Sequence, residues 1–191
     1  MDKLVLASQS PRRKQLLEWA EVKFEINSVH SDEIIKDGLT PSEVAIDIAM
    51  QKANAVRQHF AERTILAADT IVVLGNDIIG KPKDREDAIS ILNRLSGKHH
   101  QVITGVVLTK GNLIHSFADV TDVLFHPLTQ EQIIFYVEKY KPYDKAGAYA
   151  IQEWIGVTGI KSIHGDFYNV MGLPVSRVLQ SLWEFSPEIM R

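Results

Sequence analysis

An α/β fold with a mixed β-sheet is predicted by two features of the chain. Short apolar strands alternate with amphipathic helices, as parallel crossovers require, and two turn signals mark strands that double back. The first signal is Gly75, Asn76 and Asp77, and the second is Lys110, Gly111 and Asn112. With 191 residues, the chain suits one sizeable domain or two small lobes around a cleft.

The elements follow in order. Lys3–Ala7 reads as a short apolar strand, and Pro11–Trp19 as a helix with Ser10 as N-cap and Pro11 at its first position. Phe24–Asn27 is a second strand. Pro41–His59 is a long helix opened by Thr40 and Glu43, a capping box. Thr64–Leu74 is a buried strand, and Ile78–Ile79 is its return. Asp84–Leu95 is a helix closed by Gly97. His100–Thr109 and Leu113–Phe125 are long strands joined by the second turn. Thr129–Lys139 is a helix with Thr129 and Gln132 as another capping box. Lys145–Lys161 has no periodicity to assign, and Pro174–Phe185 is the last helix.

Composition excludes several classes. The chain is 45% hydrophobic and 24% charged, as in ordinary globular proteins. A net charge of −3 argues against a broad nucleic-acid surface, so any anion site must be a local cluster. There are no cysteines, hence no disulfide, thiolate metal site or cysteine nucleophile. No apolar run reaches transmembrane length and the N-terminus does not resemble a signal peptide, so no membrane association and a cytoplasmic location are expected. Neither G-x-x-x-x-G-K-[ST] nor G-x-S-x-G occurs.

Four places break local rules. Arg12, Arg13 and Lys14 crowd the first turn of a helix, where each exposed cation costs roughly 0.3–1 kcal/mol. They form either a solvated basic end or, with the hydroxyls of Ser8 and Ser10, a phosphate site. Asp69 and Thr70 interrupt the apolar run Ile65–Leu74. A buried carboxylate needs a cation or strong donors, so Asp69 is a structural residue paired with a lysine, a metal ligand or a general base. Lys52 lies on the helix stripe of Ala45, Ile48, Ala49, Ala53 and Val56, where it either snorkels to water or aims into a site. The turn Gly80-Lys81-Pro82 allows a ligand to approach closely, with Lys81 beside it. Three cationic elements and a strand carboxylate suit a phosphorylated, metal-bound substrate, with Glu33 or Asp32 as a second oxygen ligand for Mg²⁺ or Mn²⁺. Adjacent His99 and His100 point to opposite strand faces and make a poor joint metal site.

The segments "LASQSPRRKQLL", "AADTIV", "GKPKD", "LSGKHHQVITGV", "DKAGAYAIQ" and "GDFYNVMGLP" resemble, in order and spacing, the motifs of the Maf family. The resemblance runs from about Leu4 to Leu182. It implies an elongated mixed sheet flanked by helices, with two lobes around a cleft, similar to the inosine triphosphate pyrophosphatases. The whole chain, 1–191, would form a single domain of this kind. The implied activity is a nucleoside triphosphate pyrophosphatase, dependent on a divalent cation (Mg²⁺ or Mn²⁺) and acting as a homodimer. By that resemblance Ser8, Ser10, Arg12 and Arg13 grip the nucleotide, and Glu33 and Asp69 hold the metal. Asp69 is also the proton acceptor, while Arg13, Lys52 and Lys81 neutralise phosphate charge.

Arg12, Thr70 and Gln152 match the specificity positions of the branch acting on dTTP and UTP. The segment "AIQEWIGV" is bulkier than the glycine-rich version common there. Tyr149 is either a wall of the base pocket or a core residue. The alternatives are a pyrophosphatase for a modified nucleotide such as 7-methyl-GTP, and a non-enzymatic nucleotide-binding regulator of cell division.

Overall fold

The computed structural model describes residues 3–29 and 33–190. In chain order the elements are β1 (Leu4–Leu6), α1 (Pro11–Trp19), β2 (Phe24–Ile26), α2 (Pro41–Arg57), β3 (Ile65–Leu74), β4 (Asp77–Ile79), α3 (Arg85–Leu95), β5 (His99–Lys110), β6 (Leu113–Phe125), α4 (Gln130–Tyr140), α5 (Trp154–Gly159), β7 (Ile160–His164), α6 (Phe167–Met171) and α7 (Val175–Phe185). Short 3₁₀ turns occupy Ala146–Ala148 and Pro187–Met190. The strands make one sheet in the order β2-β1-β3-β5-β6-β7, with β4 also paired to β3. β1 runs parallel to both β2 and β3, whereas β3/β4 and β6/β7 are antiparallel, so the sheet is mixed as predicted.

The chain divides into two compact units, and β3, β5 and β6 each pass from one to the other. The first unit contains Met1–Thr70, Thr104–Asp119 and Gly172–Arg191. Its core joins Val5, Ala7, Ile65, Ala67 and Val107 of the strands to Ala49, Ala53 and Val56 of α2. β1 lies between two parallel neighbours, which is why Leu4, Val5 and Leu6 are all fully buried rather than alternating.

Helix α2 begins where its capping box closes: Glu43 N–H donates to Thr40 Oγ1, and Thr40 N–H donates to Glu43 Oε2 at 2.8 Å. Its small residues let it lie close against β5. A Cβ on Gly105 would come within 2.3 Å of the Ala45 carbonyl carbon, so only glycine permits that approach.

The second unit contains Ile71–Ile103 and Val120–Met171. Its core gathers Ala88, Ile91, Leu92 and Leu95 of α3 with Ile133, Tyr136 and Val137 of α4, and with Val102, Val123 and Phe125 of the strands. Tyr149 belongs to this core: it is buried, bonded to His100 at 2.7 Å and packed edge-on against Phe125. Its rival reading as a pocket wall therefore falls. His99 is exposed and His100 buried, as strand alternation requires.

The stretch Lys145–Lys161 resolves into a 3₁₀ turn, α5 and the start of β7. Each piece is too short to show a period. The turn depends on Gly147 at φ +71°, where a Cβ would also meet Val72 Cγ2 at 2.8 Å. Helix α6, five residues long, escaped the sequence reading for the same reason.

Candidate active site

Lys52 projects from the apolar face of α2, among buried Ile48, Ala49, Ala53 and Val56. Its Nζ donates to Asp69 Oδ1 at 2.5 Å and lies 2.9 Å from Glu33 Oε1. The side chains of Lys52 and Asp69 are 20% and 13% exposed. An ammonium thus faces the Asp69 carboxyl group in the middle of an apolar strand, the partner that a buried acidic side chain needs. One cation between two carboxylates is also the charge pattern that a divalent ion would satisfy, with the hard oxygen donors Mg²⁺ and Mn²⁺ prefer. Asp32, the alternative second ligand, lies outside the described residues. Among the described residues no group of three or more His, Asp or Glu side chains forms a metal cluster. Two carboxylates still suffice where phosphates complete the shell.

Of the two readings of the basic turn of α1, the fully solvated end does not hold for Arg13. Arg13 turns inward and is only 8% exposed. Its Nε donates to the Gly172 carbonyl at 2.8 Å, Nη1 to Ser8 Oγ at 3.2 Å and Nη2 to Thr70 Oγ1 at 3.0 Å. Burial lowers its pKa below the usual arginine value; Asp69 opposes that shift, Arg12 adds to it and Glu33 opposes it. Arg12 is partly buried. Lys14 is a surface residue, half exposed and 3.6 Å from Glu18. Ser8 Oγ also accepts from Ser10 N–H at 3.2 Å. Ser10 occupies the N-cap position of α1, but its hydroxyl makes no capping bond. The structure thus brings Ser8, Ser10, Arg13 and Thr70 into one network, and Glu33, Lys52 and Asp69 into another, both within the first unit.

Lys81 and Gln152 belong to the second unit, and both are exposed. The turn carrying Lys81 is tied to the 3₁₀ turn by Gly147 N–H donating to the Gly80 carbonyl at 3.1 Å. The backbone just before Gln152 is held by Ala150 N–H donating to Tyr136 Oη at 3.2 Å. Tyr136 Oη in turn donates to Glu153 Oε2, and Lys145 lies 3.5 Å from Glu153 Oε1.

A family model described as Maf-like protein matches residues 3–185. The chain belongs to the Maf family. Three relatives of this Maf chain carry the name dTTP/UTP pyrophosphatase. The one from Cytophaga hutchinsonii is 49% identical over 97% of this chain and 86% of its own length. That from Porphyromonas gingivalis is 44% identical over 96% and 94% of the two chains, and that from Bacillus velezensis 43% over 96% and 97%. Among solved structures, the Staphylococcus aureus Ham1 protein aligns with a TM-score of 0.51 at 16% identity, covering 96% of this chain and 98% of its own. A HAM1 protein from Coxiella burnetii aligns with a TM-score of 0.50 at 17% identity, covering 96% and 100%. At these identities the likeness is one of fold, and it matches the mixed sheet expected from the sequence.

Two partners in the network around Arg13 escaped the sequence reading. Thr104 is fully buried, and its Oγ1 lies 2.9 Å from Thr70 Oγ1. Gly172 contributes only its carbonyl. Thr104 carried a usable signal, a hydroxyl inside the apolar run Val102–Leu108, the same kind of break that singled out Asp69. A backbone carbonyl leaves no such mark.

Proposed function

We propose that this protein hydrolyses dTTP and UTP to the nucleoside monophosphate and pyrophosphate. The observation that carries the reading is Lys52 lying between Asp69 and Glu33, beside a buried arginine that feels both carboxylates. The names of the relatives support the same activity.

Asp69 orients the attacking water and accepts its proton as the oxygen bonds to the α-phosphorus and the α–β bridging bond breaks. Lys52, Arg13 and Lys81 neutralise charge on the phosphoryl oxygens and on the departing pyrophosphate. Ser8, Ser10 and Arg12 add phosphate and sugar contacts. Gln152 offers one donor and one acceptor, which pair with the edge shared by uracil and thymine. Glu33 and Asp69 would hold Mg²⁺ or Mn²⁺, which would supply positive charge to the phosphates and Lewis acidity to the attacking water. We assign to the same proposal a single catalytic domain over 1–191, the homodimer and the cytoplasmic location.

Pyrophosphate release from a panel of nucleotides, with and without divalent cation, tests the reading. dTTP and UTP should lead, with CTP slower and purine nucleotides poor. Asp69→Asn should stay folded and lose turnover by about two orders of magnitude or more. Near-normal release by that variant, or faster cleavage of 7-methyl-GTP than of UTP by the wild type, would contradict it.

A further inference from the structure

We propose that Thr104 is a positioning residue for this reaction, acting through Thr70 on the guanidinium of Arg13. The proposal rests on Arg13 serving the phosphates.

A threonine Oγ1 donates one hydrogen bond and accepts two. Around Thr70 Oγ1 there are three partners: Arg13 Nη2 at 3.0 Å, Thr104 Oγ1 at 2.9 Å and the Gly172 carbonyl at 3.3 Å. Arg13 can only donate and the carbonyl can only accept. With Thr104 as the second donor, every site on the Thr70 hydroxyl is filled. In this arrangement the Thr70 hydroxyl helps to fix the guanidinium.

The Gly172 carbonyl closes the ring, because it also accepts from Arg13 Nε at 2.8 Å. Gly172 reaches this pose at φ +120°, a conformation that L side chains rarely adopt. With Ser8 Oγ on Nη1, the guanidinium is held at three points. A group held in this way loses little freedom on meeting an oxyanion, so it contributes more to binding and to the transition state. Thr104 supplies the bond that completes the arrangement, from a strand position with no exposure at all. Without its hydroxyl, one acceptor site on Thr70 is unfilled and the Thr70 hydroxyl is free to turn.

The test uses the full chain and four variants: Thr104→Val, Thr104→Ser, Thr70→Val and the double Thr70→Val/Thr104→Val. Pyrophosphate release gives kcat and KM for UTP and dTTP, and calorimetry gives the affinity for inorganic pyrophosphate. Thr104→Val should lower kcat by about tenfold, with KM moving less than about threefold. It should weaken pyrophosphate binding by about fivefold. Thr104→Ser, which keeps the hydroxyl, should stay within about twofold of wild type on both readouts. The double variant should be no worse than Thr70→Val alone, since Thr104 is proposed to reach Arg13 through Thr70.

The proposal is overturned by wild-type kinetics and pyrophosphate affinity in Thr104→Val. Equal losses in the Val and Ser variants overturn it too, since packing alone would give that result. So would losses that multiply in the double variant. If the wild-type chain releases no pyrophosphate from either nucleotide, the pyrophosphatase reading fails on its own. Pyrophosphate affinity across the four variants then still decides the role of Thr104.

Discussion

Arg13 spends three of its five N–H donors inside the protein, and this reverses what its position alone suggests. An exposed arginine in the first turn of a helix should destabilise it slightly, so Arg13→Ala ought to gain a few tenths of a kcal/mol. A buried arginine bonded to Gly172, Ser8 and Thr70 leaves acceptors unpaired when it is removed, at about 1–3 kcal/mol. Arg13→Ala should therefore lose stability in urea unfolding, and a variant as stable as wild type would return Arg13 to the surface.

His100 gives a second prediction at this scale. Burial pushes its pKa down to about 4, against a backbone hydrogen bond at Lys98 that raises it, with His99 adding to the depression. Tyr149 and Phe125 face the ring. The unfolded chain takes up a proton below about pH 6.5 that the folded chain refuses, so this residue's contribution to stability falls as pH drops from 6.5 toward 4. The slope approaches about 1.4 kcal/mol per pH unit. Urea midpoints for wild type and His100→Gln should diverge across that window, and parallel curves would refute it. Asp69 and Lys52 were legible in sequence because a charge in an apolar stripe is conspicuous. The inward turn of Arg13 was not, because two of its three partners, Thr70 and Gly172, lie 57 and 159 residues away along the chain.

The elements were read best where local chemistry decides them. Both capping boxes form, and α1 runs from Pro11 to Trp19 as expected. They were read worst in Lys145–Lys161, where glycine conformation and contacts to distant residues such as Val72 set the path. Gly105 shows how one residue places a whole helix. Gly105→Ala would put a methyl carbon within 2.4 Å of three backbone atoms of α2. Backbone cannot rotate aside as a side chain does, so the helix must move off the strand, at about 1–3 kcal/mol or more. Lys52 rides on that helix, two turns further along. Gly105→Ala should therefore lower both the unfolding midpoint and pyrophosphate release. A folded variant with full turnover would show that the spacing of α2 from β5 does not matter to Lys52.

Across the whole molecule, alternating elements and turn signals predicted a mixed sheet, while the division into two units left no mark in composition. The division has a simple relation to the hydroxyl network. The chain passes between units after Thr70, before Thr104, after Asp119 and before Gly172. Three of the four crossings thus fall on Thr70, Thr104 and Gly172, the residues that bond to one another around Arg13. Thr70 and Thr104 are 34 residues apart, and Thr70 and Gly172 are 102. Closing loops of that length costs entropy before any bond rewards it. These bonds should therefore form after the main folding barrier. Thr104→Val should speed unfolding and leave the refolding rate unchanged in stopped-flow experiments, as expected for contacts absent from the transition state. Slowed refolding would mean that the crossings are pinned early. The ring of hydroxyls around Arg13 would then act as a latch in time: the chain completes its most distant closures last, and the arginine is aimed only once the rest of the protein is in place.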